Sequence, residues 1–236
     1  MSDTWVSTVY FPMFQSPSFD VLSSIMHQLE QTGLTLQRSV ETGKGQWFDP
    51  QGEIFQIASI EEVIRLTIEH GGGSLNVGEQ ETGMADTLAI YPWGGGWLGP
   101  KSSAEFEYGN ISIMFDYGNL RNESHDTLRR RYELIFRWSN LLVRTTNAIY
   151  GWGDLQSNLW NTGLAVQATD LQQWNIPRFS WWNFFSKAYL QHVGKNRLST
   201  TAAWLEHEDE YGLTVILRSP GEPSYASREE LLGLIA

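Results

Sequence analysis

The residues of this chain whose types and spacing could do chemistry are carboxylates and indoles. Glu105 with Glu107, and Asp116 with Asp154, are pairs that a sheet could bring together. Two flanking carboxylates are what glycoside hydrolysis requires, one to protonate the leaving oxygen and one to act as base or nucleophile. Tryptophans would suit such a cleft. The run HEDE, His207 to Glu210, offers imidazole and oxygen donors of the kind a hard cation takes. Consecutive residues in a turn point in different directions, however, and no second motif has matching spacing. That run is therefore expected to be a solvated hairpin tip, with no metal site. The remaining histidines, His27, His70, His125 and His192, stand singly, without the pairing that a ligand set or a base with its orienting partner needs. No Gly-x-Ser-x-Gly elbow occurs. The stretch GGGSLNVG, Gly71 to Gly78, has no Gly-Lys-Ser/Thr and follows a helical pattern instead of leading from a strand into one. A phosphate cradle lacks its geometry there, and a helix C-cap running into a flexible loop is expected. No catalytic residue and no cofactor is assigned.

The indoles divide by context. Of eleven tryptophans, Trp5, Trp138, Trp181, Trp182 and Trp204 fall in periodic patterns and read as core. Trp93, Trp97 and Trp152 are flanked by glycines, in IYPWGGGW (Ile90 to Trp97) and IYGWGDLQ (Ile149 to Gln156). Rings with so little local backbone to pack on either anchor an interface or fold back over a sheet edge. The two stretches share Ile-Tyr-x-Trp-Gly, which raises the alternative of two related β-α-β halves, about 1–100 and 101–236, against a chance echo.

Composition narrows the partners. With 16 basic and 27 acidic residues the net charge is −11, which repels phosphate backbones and argues against nucleic acid. Between Glu53 and Asp86 seven acids face one base, Arg65, whereas between Arg121 and Arg144 six arginines face three acids. No apolar run approaches the roughly 18 residues that a membrane span needs. The start, MSDTWVSTVYF, has no basic and apolar leader pattern, and cysteine is absent, so a cytoplasmic location is expected.

The elements that must position these residues form one 236-residue α+β domain. Trp5 to Met13 reads as a strand. A helix follows, with Ser16 as N-cap, Phe19, Leu22, Ile25, Met26 and Leu29 as its apolar stripe, and Gly33 as its stop. Leu34 to Val40 and Glu53 to Ala58 are strands separated by a turn-rich stretch. Ser59-Ile-Glu-Glu is a capping box opening a helix through Ile68. Thr87 to Tyr91 and Glu105 to Tyr117 are strands; Ile111, Ile113 and Phe115 face one way, and Tyr108-Gly-Asn is a turn or bulge. The longest helix runs from about Ser124 to Thr145, with Leu128, Tyr132, Ile135, Trp138 and Leu142 as its core stripe. The strand around Tyr150 and a strand at Asn161 to Ala168 come next, and FSWWNFF leads a helix through Val193 that Gly194 ends. Ala202 to Glu206 and Gly212 to Arg218 form a hairpin, and Ser227 opens a last helix. This order favours a mixed, largely antiparallel sheet with helices packed on one face.

From the long helix onward the layout resembles the immunity proteins of bacterial polymorphic and secreted toxin systems. The similarity is carried by NISIMFDYG, DTLRRRYELIFRWSNLL, AIYGWGDL, IPRFSWWNFFSKAYLQHVGKNRL and AAWLEHEDEYGLTVILRS, together with the opening VYFPMFQSPSFDVLSSIMHQLEQTGL. Gly71 to Ser103 lies outside it. The resemblance implies a non-enzymatic, cytoplasmic protein that binds and neutralises a cognate protein toxin. Acids would steer such a partner and indoles would anchor it. The expected partner-binding residues are Glu79, Glu81, Asp86, Trp93, Trp97, Trp152, Asp154, Glu208 and Asp209. The alternatives are a carbohydrate-active hydrolase and a carbohydrate or small-ligand binding module.

Overall fold

The first strand, β1 (Thr4–Pro12), is apolar or β-branched on both of its faces except at Ser7, and every residue from Trp5 to Phe11 is buried. A strand of that kind belongs in the interior of a sheet with both faces covered. In the computed structural model, which describes residues 4–12, 19–79, 85–92, 108–116, 125–155, 166, 168–175, 179–198 and 203–217, β1 lies at the centre of an 11-stranded sheet.

The other strands are β2 (Leu34–Leu36), β3 (Gly45–Phe48), β4 (Ile54–Ile57), β5 (Gly73–Glu79), β6 (Ala85–Tyr91), β7 (Tyr108–Asp116), β8 (Tyr150–Leu155), β9 (Trp182–Ser186), β10 (Ala203–Glu208) and β11 (Gly212–Leu217). Their order is β10-β11-β9-β8-β1-β7-β6-β5-β3-β4, with β2 also pairing with β5. Every pairing is antiparallel. The helices are α1 (Phe19–Gln31), α2 (Ile60–His70), α3 (His125–Thr146), α4 (Ala168–Gln172), α5 (Lys187–Val193) and α6 (Lys195–Leu198).

Strand alternation gives the sheet two apolar faces. On the first, Trp5, Val9, Phe11, Ile111, Ile113, Phe115, Leu88 and Ile90 join one cluster with Leu22, Ile25, Met26 and Leu29 of α1, Val63, Ile64 and Leu66 of α2, and Ile135, Trp138 and Leu142 of α3. Phe115 stacks on Trp138 at 5.6 Å, and the Ser7 and Ser139 hydroxyls meet at 2.6 Å where α3 crosses β1. On the second face Val6, Tyr10, Tyr150, Trp152, Phe185, Leu213 and Val215 cluster with Leu171, Tyr189 and Leu198 from the three short helices. Helices on one face therefore describes α1 to α3 only. The second face is equally apolar across β8, β9 and β11, and α4 to α6 bury it.

Three further expectations are corrected. Gly73 to Glu79 forms a sheet strand, not a flexible loop: Gly73, Leu75, Val77 and Glu79 are buried in alternation. Its glycines answer packing, since a Cβ on Gly73 would lie 2.5 Å from Trp47 Cε2. The C-cap at Gly71 is present, left-handed at φ 76°. From Trp182 the aromatic run is strand β9, fully buried, and helix α5 begins only after it, at Lys187. Tyr108-Gly-Asn continues β7 in unbroken register, Gly109 opposite Phe11, where a Cβ would meet the Pro92 carbonyl oxygen at 2.5 Å. The strand at Gly45–Phe48 was not expected, because the turn residues around it conceal it. The expected N-cap Ser16, the strand residues 161–165 and the helix after Ser227 lie outside the described residues; Ala168 opens α4.

The echoed Ile-Tyr pairs fall at the end of β6 and the start of β8, the strands flanking the central β1–β7 pair, with Ile149 just before β8. Tyr91, Asn110, Tyr10, Tyr150 and Phe185 make one continuous cross-strand row. The two wings are wound in opposite order. The chain builds the edge pair β3–β4 before β5 and β6 on one side, and β8 and β9 before the edge pair β10–β11 on the other.

Candidate functional site

Four of the expected partner-binding residues are interior. Glu79 is 2% exposed and Asp86 5%, both on the face that α1 to α3 cover; Asp86 stands opposite Val77, which makes Glu79 its diagonal neighbour. Asp154, 6% exposed, stands opposite Val6 on the other face. Trp152 is 4% exposed, lies between Thr8 and Asn183, and donates its indole N–H to the Tyr10 hydroxyl at 3.1 Å. Burial removes these side chains from any docking surface. The glycines beside Trp152 serve a different ring: a Cβ on Gly151 would lie 2.8 Å from Trp182, which packs on the opposite face of β8.

Glu208 and Asp209 do come together, at the β10–β11 turn, and both are engaged within the chain. Asp209 accepts the Tyr211 and Gly212 amides at 2.8 and 3.0 Å, and its second oxygen lies 3.8 Å from Arg144 at the end of α3. The Arg144 guanidinium stands 5.5 Å from the Tyr211 ring centre. Glu208 pairs with Lys195, whose ammonium holds the Glu208 carboxyl below its ordinary range while the carboxylate raises the lysine. The expectation of a hairpin tip at HEDE is met. Glu81, Trp93 and Trp97 lie outside the described residues, as do Glu105 and Glu107. Of the other carboxylate pair, Asp116 stands opposite Thr4 and Asp154 opposite Val6, so β1 runs between them.

A polar cluster that the sequence did not single out joins α2 to the β3–β4 turn. Asp49 accepts the Gln51 and Glu53 amides at 2.9 and 2.7 Å, and its other oxygen lies 3.5 Å from His70 Nδ1. The Trp47 and Phe55 rings meet the imidazole edge-on at 5.2 and 5.0 Å. Burial, reinforced by the Asp49 carboxylate, pushes the Tyr91 hydroxyl up. This arrangement clasps a helix end to a hairpin. Among the described residues, no group of three or more His, Asp or Glu is placed to hold a metal ion.

Phe19, Glu61, Glu62, Arg65, Ile68 and Glu69 line an open cleft of about 520 Å³ beside the start of α1. The expected N-cap forms, Ser59 Oγ accepting the Glu62 amide at 3.3 Å, while the Glu62 carboxylate reaches one residue past the cap and accepts the Ala58 amide at 2.5 Å. The hydrogen bond from Ser59 holds the Glu61 carboxyl below its ordinary range. Arg65 is taken by Glu69 at 2.9 Å. Phe19, expected in the core stripe of α1, is instead 45% exposed: it precedes Leu22 by a turn and reaches past the core. The sequence carried one signal for this site, the excess of acid from Glu53 onward.

No known protein family matches the chain, and no curated protein is similar to it.

Proposed function

We propose that the chain is a non-enzymatic, immunity-type protein that binds a cognate protein toxin and blocks it by occlusion. The observation that carries this reading is the outer face of α1 and α2. There an exposed aromatic ring and an aliphatic floor sit inside a rim of Glu61, Glu62 and Glu69, with Asp20 and Glu53 exposed nearby in sequence. A surface that combines an apolar centre with charge of one sign suits a protein partner of opposite charge: the charges speed encounter and the apolar centre holds the complex. Glu79, Asp86 and Asp154 are buried, so the acids open to a partner are those of this outer face. The resemblance of the sequence to immunity proteins from the long helix onward implies a cytoplasmic setting and a toxin as the partner.

The test is co-expression. The toxic domain encoded by the gene beside this one is induced in bacteria with and without the chain. Growth restored by the chain, with formation of a one-to-one complex, is the expected result. A neighbouring gene with no toxic product, or a toxic product that the chain leaves fully active, overturns the reading.

A further inference from the structure

We infer that the α1–α2 cleft receives a cationic helical segment of the partner, with one bulky apolar side chain seated between Phe19 and Ile68. This rests on the toxin-binding reading above and specifies its contact. Glu61, Glu62, Arg65, Ile68 and Glu69 recur on one face of α2 at spacings of three and four residues. They cover about 12 Å of helix axis, a length that a second helix lying alongside would match turn for turn. Three carboxylates face one guanidinium, and that guanidinium is bound to Glu69. The rim therefore stays net negative and selects lysine or arginine over an anionic partner. Phe19 supplies the other wall. A phenylalanine nearly half exposed at the first residue of a helix, beside a partly buried isoleucine, leaves apolar surface that an inserted side chain would remove from water.

The probe is a synthetic fourteen-residue amphipathic peptide of leucine and lysine with a fluorescent label, titrated with the full chain and read by anisotropy. Saturable binding is expected. Phe19→Ala should weaken it about tenfold, as removal of a central anchor does, and Phe19→Lys should abolish it. Glu61→Gln with Glu69→Gln should weaken it and flatten its salt dependence. Glu41→Gln with Glu210→Gln removes the same charge from elsewhere and should leave the affinity within about twofold, because distant exposed charges are screened. Thermal unfolding of Phe19→Ala close to the parent confirms that the loss is local. Binding unchanged by Phe19→Lys, or weakened equally by the distant pair, overturns the cleft and leaves only attraction to net charge. Co-expression separates this from the parent reading. If the chain protects against the neighbouring toxin and Phe19→Lys protects equally, the cleft fails alone; if the chain does not protect, the immunity reading fails whatever the peptide does.

Discussion

Trp152 on β8 donates its indole N–H to the hydroxyl of Tyr10 on β1 at 3.1 Å, although 142 positions separate them in the chain. The bond joins the tryptophan that the sequence marks as an interface anchor to the central strand of the sheet. It lies inside an aromatic stack in which Tyr150 sits 6.1 Å from Tyr10 and 5.7 Å from Tyr189. Removing either partner should therefore cost stability and not binding. Trp152→Phe and Tyr10→Phe are each expected to destabilise by about 1–3 kcal/mol, with a coupling near 1 kcal/mol in the double-mutant cycle. Urea unfolding of the four proteins measures this, and additive losses would contradict it.

Burial raises the pKa of the Tyr10 hydroxyl well above its ordinary value of about 10, against a smaller lowering by the Trp152 bond. The folded value exceeds the unfolded one, so the contribution to stability is intact below about pH 10. Above that pH the unfolded chain releases the proton and the folded chain holds it. Stability should then fall by about 1.4 kcal/mol per pH unit on account of this group, until the folded hydroxyl also ionises. Tyr189, raised chiefly by burial, acts in the same direction. Urea midpoints between pH 9 and 11 should decline less steeply in Tyr10→Phe than in the parent.

The Lys195–Glu208 pair ties α6 to the end of β10. Glu208 is lowered by the lysine, so its share of the pairing is present above its ordinary carboxyl range and is lost as pH falls through the folded value. Lys195 is raised by the glutamate, so its share is present below the ordinary lysine range and is lost as pH rises through the folded value. The pair operates across the whole interval between. In Lys195→Met the Glu208 carboxyl, followed by NMR titration, should move up towards its ordinary midpoint. An unmoved midpoint would show that solvent screens the pair completely.

Gly151 lies opposite Val9 on one side and Phe184 on the other, with the Trp182 ring over its missing side chain. Gly151→Ala should destabilise by about 1–3 kcal/mol, because the buried ring has to shift to admit a methyl group. A thermal midpoint equal to the parent's would mean that the indole repacks without cost.

Trp93 and Trp97, placed on an interface by the sequence, give a test that separates them from Trp152. Under the toxin-binding proposal their joint replacement by alanine should leave the thermal midpoint nearly unchanged while weakening the complex with the toxin. A large fall in the midpoint would assign them to the core, where loss of each ring costs about 3–5 kcal/mol.

Much of the fold was legible in residue order. The stripes Leu22, Ile25, Met26, Leu29 and Ile135, Trp138, Leu142 predict α1 and the later turns of α3, and both are buried as periodicity requires. Ser59 and Glu62 mark the start of α2, and Gly71 its end, because capping is a local matter of a few atoms. The alternation Ile111, Ile113, Phe115 gives β7 its buried face. In each case the physical cause acts within about four residues, so the sequence determined the outcome unaided.

Long-range packing decided the rest. Gly71 to Gly78 reads as breaker-rich because glycine favours turns, yet the Trp47 ring requires a bare Cα at Gly73 and draws that segment into the sheet. The run around Trp182 suits a helix or a strand equally by composition; pairing with β8 and β11 made it a strand. Trp152 and Phe19 exchanged their expected places for the same reason. Whether a ring is covered depends on what packs against it from elsewhere in the chain, Tyr10 for one and only partial cover for the other. The sequence determined how much acid and how many indoles the protein carries. Only tertiary structure decided that Glu79, Asp86 and Asp154 lie inside, and that Glu61, Glu62 and Glu69 face water around an apolar cleft, because burial belongs to the assembled sheet and not to any one segment.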